Sequence, residues 1–186
     1  MPERFEAIYQ RHFDSIFRYV LHRVADVAEA EDLTSQTFFK ALRGIDRYRP
    51  GANGSAEAWL YRIATNEVSS HFRRRRTRHA VATVPCDDEL LEERAGAETI
   101  VARHRLFSAV HRAMRTLPQL EQALITLRYF EQKPFGKIAE ILNKRPGSLT
   151  MRTHRALSKL RAELEREGID HEELREVLDR PVEAGC

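Results

Sequence analysis

Two cysteines, eight glycines and seven prolines in 186 residues rule out several kinds of protein. Cys86 and Cys186 cannot complete a four-ligand zinc site by themselves and offer no disulfide framework. Both sit among acidic neighbours, which disfavour the thiolate and weigh against a redox role. The eight histidines include no HExxH or comparable ligand spacing, so no metal and no other cofactor is expected. No nucleophile-and-base pairing or phosphate cradle appears, so no catalytic residue is assigned and an enzyme is not expected. No apolar run approaches membrane-spanning length, and the opening MPERFEAIYQRHFDSIF has no apolar segment of the signal-peptide kind. The expectation is a soluble, reduced, cytoplasmic chain with no membrane insertion. Aromatics are few (8%) and charges many (32%). With so little glycine and proline, that mixture favours helices over sheets.

The net charge of +3 is small, but the charge is not evenly spread. Arg62 to His79 carries six arginines against one glutamate (+5), and Lys133 to Arg161 carries eight lysines or arginines against one glutamate (+7). Between them, Pro85 to Ile100 has six acids against one arginine (−5), and Glu165 to Cys186 has eight acids against three arginines (−5). Basic blocks suit a polyanion, which would repel the acidic blocks.

Apolar periodicity marks the helices. Phe5, Ile8, Tyr9, Phe13, Ile16, Val20 and Val24 recur at three- and four-residue steps, the stripe of an amphipathic helix. Asp26 is placed to cap a second helix over 28–43. The stretch 46–57, DRYRPGANGSAE, reads as a loop from its Pro, Gly and Asn content. A third helix over 56–75 has the stripe Leu60, Ile63, Ala64, Val68 and Phe72, and the three helices should pack as one bundle. Residues 83–98 read as an acidic linker, with a short helix over 89–94. Leu106, Phe107, Val110 and Met114 mark a further helix. Leu120, Ala123, Leu124 and Leu127 mark the next, with Pro118 near its first turn. The fold class is therefore all-α: two small helical domains joined by an acidic linker, the second ending in a helix-turn-helix. The boundaries are 1–79, a linker 80–102, a second domain 103–162 and an acidic extension 163–186.

That ending is PFGKIAEILNKRPGSLTMRTHRALSKLR, Pro134 to Arg161. Phe135, Ile138, Ala139 and Leu142 stripe a short helix, and Asn143, Lys144 and Arg145 form a tight turn. Pro146 suits the first position of a second helix, whose inner face is Leu149, Thr153, Ala156 and Leu160. Ala139 is small enough to let the two helices cross closely. Arg145, Ser148, Arg152, Arg155 and Lys159 step along the opposite face. Such a row fits a major groove, where arginine pairs with guanine edges or clamps phosphate. The bland alternative is a helical hairpin with a solvated basic face.

The third helix carries a second constellation. Trp59, Arg62, Asn66, Ser69, Ser70 and Arg73 recur at helical spacing opposite the apolar stripe, and Arg73 to Arg76 continue as a basic run. Rings and guanidinium planes stack on unpaired bases while arginines hold the backbone, a combination suited to single-stranded DNA. The alternative is that Trp59 is core and the arginines are solvated.

Taken together, Phe5 to Arg161 resembles an alternative bacterial sigma factor of the extracytoplasmic-function (ECF) group. AEDLTSQTFFKAL is similar to the segment of that family that grips the clamp helices of core RNA polymerase. The resemblance implies that Asp32, Ser35 and Gln36 contact polymerase. AWLYRIATNEVSSHFRRRR is similar to the segment that recognises and melts the −10 element, implying roles there for Trp59, Arg62, Asn66, Ser70, Arg73 and Arg74. The 46–57 loop would sit where the family captures a flipped base. The region from LPQLEQALITLRYF through the helix-turn-helix is similar to the domain that reads the −35 element. Arg145, Ser148, Thr150, Met151, Arg152, His154 and Arg155 would then face that duplex. The family often has other residues at Ser35, Gln36, Ser70, Thr150 and Met151. The implied partners are core RNA polymerase (clamp helices and flap) and promoter DNA, both duplex and single-stranded. The acidic extension, with Leu164, Ile169, Leu174, Val177 and Leu178 at helical spacing, is either a dock for an anti-sigma factor or a solubilising end. Two rivals stay open: a free-standing helix-turn-helix regulator, and a helical interaction protein whose basic faces are incidental.

Overall fold

The computed structural model describes residues 2–49, 51, 54–79 and 97–169. The helix expected over 89–94, most of the acidic linker, both cysteines and most of the acidic extension lie outside the described residues. The described residues are helical almost throughout and contain no strand; an isolated bridge joins Gly51 to Gly54.

Three helices form the first unit: α1 (Pro2–Val24), α2 (Val27–Gly44) and α3 (Ala56–His79). A single left-handed residue, Ala25 (φ 57°), turns the chain between α1 and α2. Asp26 then caps α2 as expected: its side chain accepts a 2.7 Å bond from the Glu29 N–H, satisfying one of the free donors of the first turn. Ile16, Tyr19 and Val20 of α1, Leu33, Phe38 and Ala41 of α2, and Leu60, Ala64 and Val68 of α3 are all buried. Each large side chain among them contributes about 1.5–3 kcal/mol through burial.

The second unit contains α4 (Ala97–Arg115), α5 (Gln119–Ile125), a π-helical turn (Thr126–Phe130), α6 (Phe135–Leu142) and α7 (Pro146–Arg166). Helix α4 begins six residues before the expected domain start at 103, inside the stretch read as linker. Helix α7 runs past 162, and Leu164 and Ile169 pack into the core of this unit with Ala109, Val110, Ala113, Met114 and Leu160. These apolar residues extend the helix further than the charge pattern indicates.

The two units share a core. Leu124, Leu127, Ile138, Ala139, Ile141 and Leu149 belong to the same buried cluster as the apolar face of the three-helix bundle. Helix α6 is the wedge, packed on α3 on one side and on α7 on the other. This explains why α3 buries Ala58 and Tyr61 as well as Leu60, Ala64 and Val68 of its expected stripe, with Ile63 and Phe72 half-buried: it has neighbours on nearly every side.

Candidate nucleic-acid interface

Helix α7 presents its outer row as the spacing indicates. Asn143 ends α6 in the left-handed conformation (φ 51°) and turns the chain sharply. Arg145 flanks α7 in extended conformation and Pro146 opens it, where a missing N–H costs nothing. Leu149, Thr153, Ala156 and Leu160 are buried. Arg145, Ser148, Thr150, Met151, Arg152, His154 and Arg155 are all exposed. Ser148 donates 2.8 Å to the Arg145 carbonyl, a contact that leaves its lone pairs facing water. One anchor was not legible in the sequence. Glu121 of α5 is almost fully buried and lies 3.3 Å from Lys159 Nζ and 4.0 Å from Arg152 Nη1. It holds the inner edge of the basic row in place.

The six α3 residues do not lie on one free face. Trp59 is half-buried and stacks on Tyr48, with ring centroids 4.6 Å apart and planes within 18°. With Asn66, Ile63, Glu67, Lys40, Gly44 and Arg47 these rings line an open pocket of about 320 Å³ between α2 and α3. At its edge Lys40 Nζ pairs with Glu67, 2.5 Å away and itself buried. The pocket therefore combines a stacked aromatic wall, an exposed amide and cations, a set suited to an unpaired base. Tyr48, Lys40 and Glu67 escaped sequence reading. The signal was present for Tyr48, an aromatic between two arginines in DRYRPG.

Arg62 faces another way. Its Nη2 donates 2.7 Å to the Glu140 carbonyl and its Nε 3.3 Å to the Ile141 carbonyl, at the end of α6. The arginine run is also divided. Arg73 and Arg74 are exposed. Arg73 lies 3.5 Å from the half-buried Ser70 hydroxyl. Arg75, expected to hold a strand with its neighbours, donates 2.9 Å to Glu29 of α2, which His71 also approaches at 3.3 Å. Arg75 thus ties α3 to α2.

On α2, Asp32 and Ser35 are exposed, and Gln36 donates 2.7 Å to the Asp32 carboxylate. The same face continues into Phe39 (60% exposed) and Leu42 (47%), two apolar side chains without a buried role. Phe38 and Phe39 are consecutive and point about 100° apart around α2, which has a partner on Phe38's side. Phe38 enters the core, and Phe39 is left outside with Arg43 over its ring at 5.8 Å. An exposed acid–amide pair thus lies beside an exposed apolar patch on α2.

Comparison with known proteins matches residues 8–78 to sigma-70 region 2 and residues 107–160 to sigma-70 region 4. The chain belongs to the sigma-70 family, in its ECF group. It is 32% identical over 158 residues to the ECF RNA polymerase sigma factor BldN of Streptomyces coelicolor, covering 85% of this chain and 59% of that one. It is 30% identical over 162 residues to the ECF RNA polymerase sigma factor SigE of Mycolicibacterium smegmatis, covering 87% of this chain and 61% of that one. The chain thus spans about six-tenths of the length of these two relatives. The fold is similar to that of the sigma factor RpoE in its complex with the anti-sigma factor NepR from Bartonella quintana. That match has a TM-score of 0.67 and 19% identity, over 88% of this chain and 98% of that one. It is also similar to CnrH in complex with the cytosolic domain of CnrY, with a TM-score of 0.62 and 19% identity, over 89% of this chain and 90% of that one. Sigma factors are transcription regulators rather than enzymes. Among the described residues no helix is long and apolar enough to cross a membrane.

Proposed function

We propose that this sigma-family chain binds core RNA polymerase in the cytoplasm and directs it to a promoter, recognising two DNA elements and melting one of them. It performs no covalent chemistry and needs no cofactor: binding energy shifts duplex DNA toward the open state. The exposed row Arg145, Ser148, Arg152 and Arg155 on α7, backed by buried Glu121, is the observation that carries this reading. That helix reads the −35 duplex, with Thr150, Met151 and His154 in the same surface. The pocket of Trp59, Tyr48 and Asn66 receives a base from the −10 strand. Ser70, Arg73 and Arg74 follow its backbone, and Arg62, bonded here to the end of α6, is assigned to the same strand. On α2, Asp32, Ser35 and Gln36 meet the polymerase clamp, with Phe39 and Leu42 supplying the apolar contact. The domain division is at 1–79 and 103–162, and the extension after 162 offers a dock for an anti-sigma factor.

Co-elution of the purified chain with core bacterial RNA polymerase tests this. Wild type should bind stoichiometrically. Asp32→Arg should weaken binding at least tenfold, because it sets a repulsive charge in the contact. A folded wild-type chain that ignores polymerase but binds duplex DNA tightly by itself would instead be a free-standing regulator.

A further inference from the structure

We propose that the acidic segment 170–186 docks on the basic row of α7 in the same chain and competes there with promoter DNA. The inference rests on the sigma reading above, which turns that row toward duplex DNA.

The row is short of carboxylates. Among the described residues its acidic partner is Glu121, which reaches Lys159 at 3.3 Å and Arg152 at 4.0 Å. Lys144, Arg145, Arg155 and Arg161 are exposed, and among the described residues no carboxylate pairs with them. The far end of α7 is different. There Arg166 pairs with Glu163 at 2.6 Å, and Arg112 of α4 pairs with Glu167 at 2.8 Å. The unbalanced positive charge therefore lies further back along α7, toward its first turn, and attracts an anion.

The chain leaves α7 in the direction this docking needs. Gly168 adopts the left-handed conformation (φ 79°). The Ile169 N–H donates 3.0 Å to the Leu164 carbonyl, and the Gly168 N–H donates 3.1 Å to the Glu165 carbonyl. This pair of bonds around a left-handed glycine is a Schellman turn, which ends the helix and folds the chain back. Ile169 is held there, buried in the same core cluster as Leu160 and Leu164. The segment that follows starts out turned back along α7. Its length suffices. Arg155 lies about 17 Å and Arg145 about 32 Å back from Arg166 along the helix. The seventeen residues 170–186 span up to about 56 Å when extended. They carry six acids, Asp170, Glu172, Glu173, Glu176, Asp179 and Glu183, against Arg175 and Arg180, a net −4. A tethered segment of this length is held at an effective concentration on the order of millimolar, so individually weak ion pairs are enough to occupy the row. Duplex DNA, with one charge per about 1.7 Å of axis, is the denser polyanion and displaces the segment when polymerase presents it.

Carbodiimide cross-linking of the unmodified full chain reads the docking through amides between Lys159 or Lys144 and the carboxylates of 170–186, detected by mass spectrometry. Those amides should form in the free chain and fall about tenfold when a duplex oligonucleotide is saturating, because the duplex takes the same cations. Their absence from the free chain, or their undiminished presence under saturating duplex, overturns the docking. A charge-matched pair of variants gives the second readout. Glu173→Lys with Glu176→Lys should raise the affinity of the free chain for the duplex about tenfold at low salt, since two competing carboxylates are lost. Glu6→Lys with Asp14→Lys, both exposed on α1, changes the net charge equally and should raise it no more than about threefold, through the general field alone. Equal gains in the two variants also overturn the docking. The cross-link uses the unmodified chain, so it decides the matter even where a variant fails to fold. Failure to co-elute with polymerase overturns the sigma reading instead, and the free-chain measurements still decide whether the segment covers the row.

Discussion

Two helices of this chain carry rows of arginine, and the fold treats them in opposite ways. Helix α7 buries one clean stripe and leaves its basic row in solvent, anchored from beneath by Glu121. Helix α3 is packed on by α1, α2 and α6, so its basic residues are divided among α6 (Arg62), α2 (Arg75) and solvent (Arg73, Arg74). The same residue type at the same periodicity thus serves as an open surface in one place and as structural mortar in another. Arginine spacing defines a face of a helix. Whether that face is free depends on how many neighbours the helix has.

The largest contrast should appear in stability. Leu60 of α3 is fully buried where three helices meet, while Met151 of α7 is 59% exposed. Leu60→Ala should cost about 2–5 kcal/mol through lost transfer energy and the cavity left behind. Met151→Ala should stay within about 0.5 kcal/mol, as surface changes do. Chemical denaturation of both variants checks this. If Leu60→Ala cost no more than Met151→Ala, the view of α3 as the packed hub would fail.

The same contrast explains what was legible in the sequence. The all-α class, the Asp26 cap, the turn at Asn143 and the inner stripe of α7 could all be read locally, because each depends on residues within one turn of one another. The role of Tyr61 could not, because its partner Glu131 lies seventy positions away. The pocket was half legible: Trp59 and Asn66 share a helix, but Tyr48 reaches them only through the loop. The start of α4 at Ala97 was not legible, because acidity there was read as linker and the apolar stripe was followed only from Leu106. The π-helical turn after α5 leaves no residue signature, since its five-residue bonds belong to the backbone.

A second test bears on the seam between the units. Two imidazoles lie near the seam: the half-buried His22 of α1, packed on Phe130 at 4.7 Å, and the buried His111 of α4, packed on Phe107 at 4.4 Å. Among the described residues His22 Nδ1 and His111 Nε2 have no hydrogen-bond partner. Burial pushes His111 down to about 4, helped by the charges of His22 and Arg115. Burial also lowers His22, where Glu131 pulls upward and Arg18 downward. The folded state therefore resists protons that the unfolded chain accepts below its ordinary histidine pKa. Stability is present in full above about pH 6.5 and is lost as pH falls toward 4, by about 2 kcal/mol at pH 5 from His111 alone. His111→Leu should remove much of that slope between pH 7 and 5, as read from thermal melts. Equal slopes in wild type and His111→Leu would show that acid acts elsewhere.

The smallest effect concerns the turn that separates a face turned inward from a face turned outward. Asn143 holds φ at 51°, and the Lys144 N–H beyond it closes on the Ala139 carbonyl at 3.0 Å. A residue with a Cβ pays in this region, asparagine less than others because its amide bonds locally. Asn143→Ala should therefore destabilise the chain by about 1 kcal/mol, while Asn143→Gly should be neutral or slightly stabilising, since glycine enters the left-handed region freely. The pair separates backbone geometry from side-chain contact: a contact made by the amide would be lost equally in both variants. Because this turn aims α7 while α6 stays wedged against α3, Asn143→Ala should also weaken duplex binding by the polymerase complex.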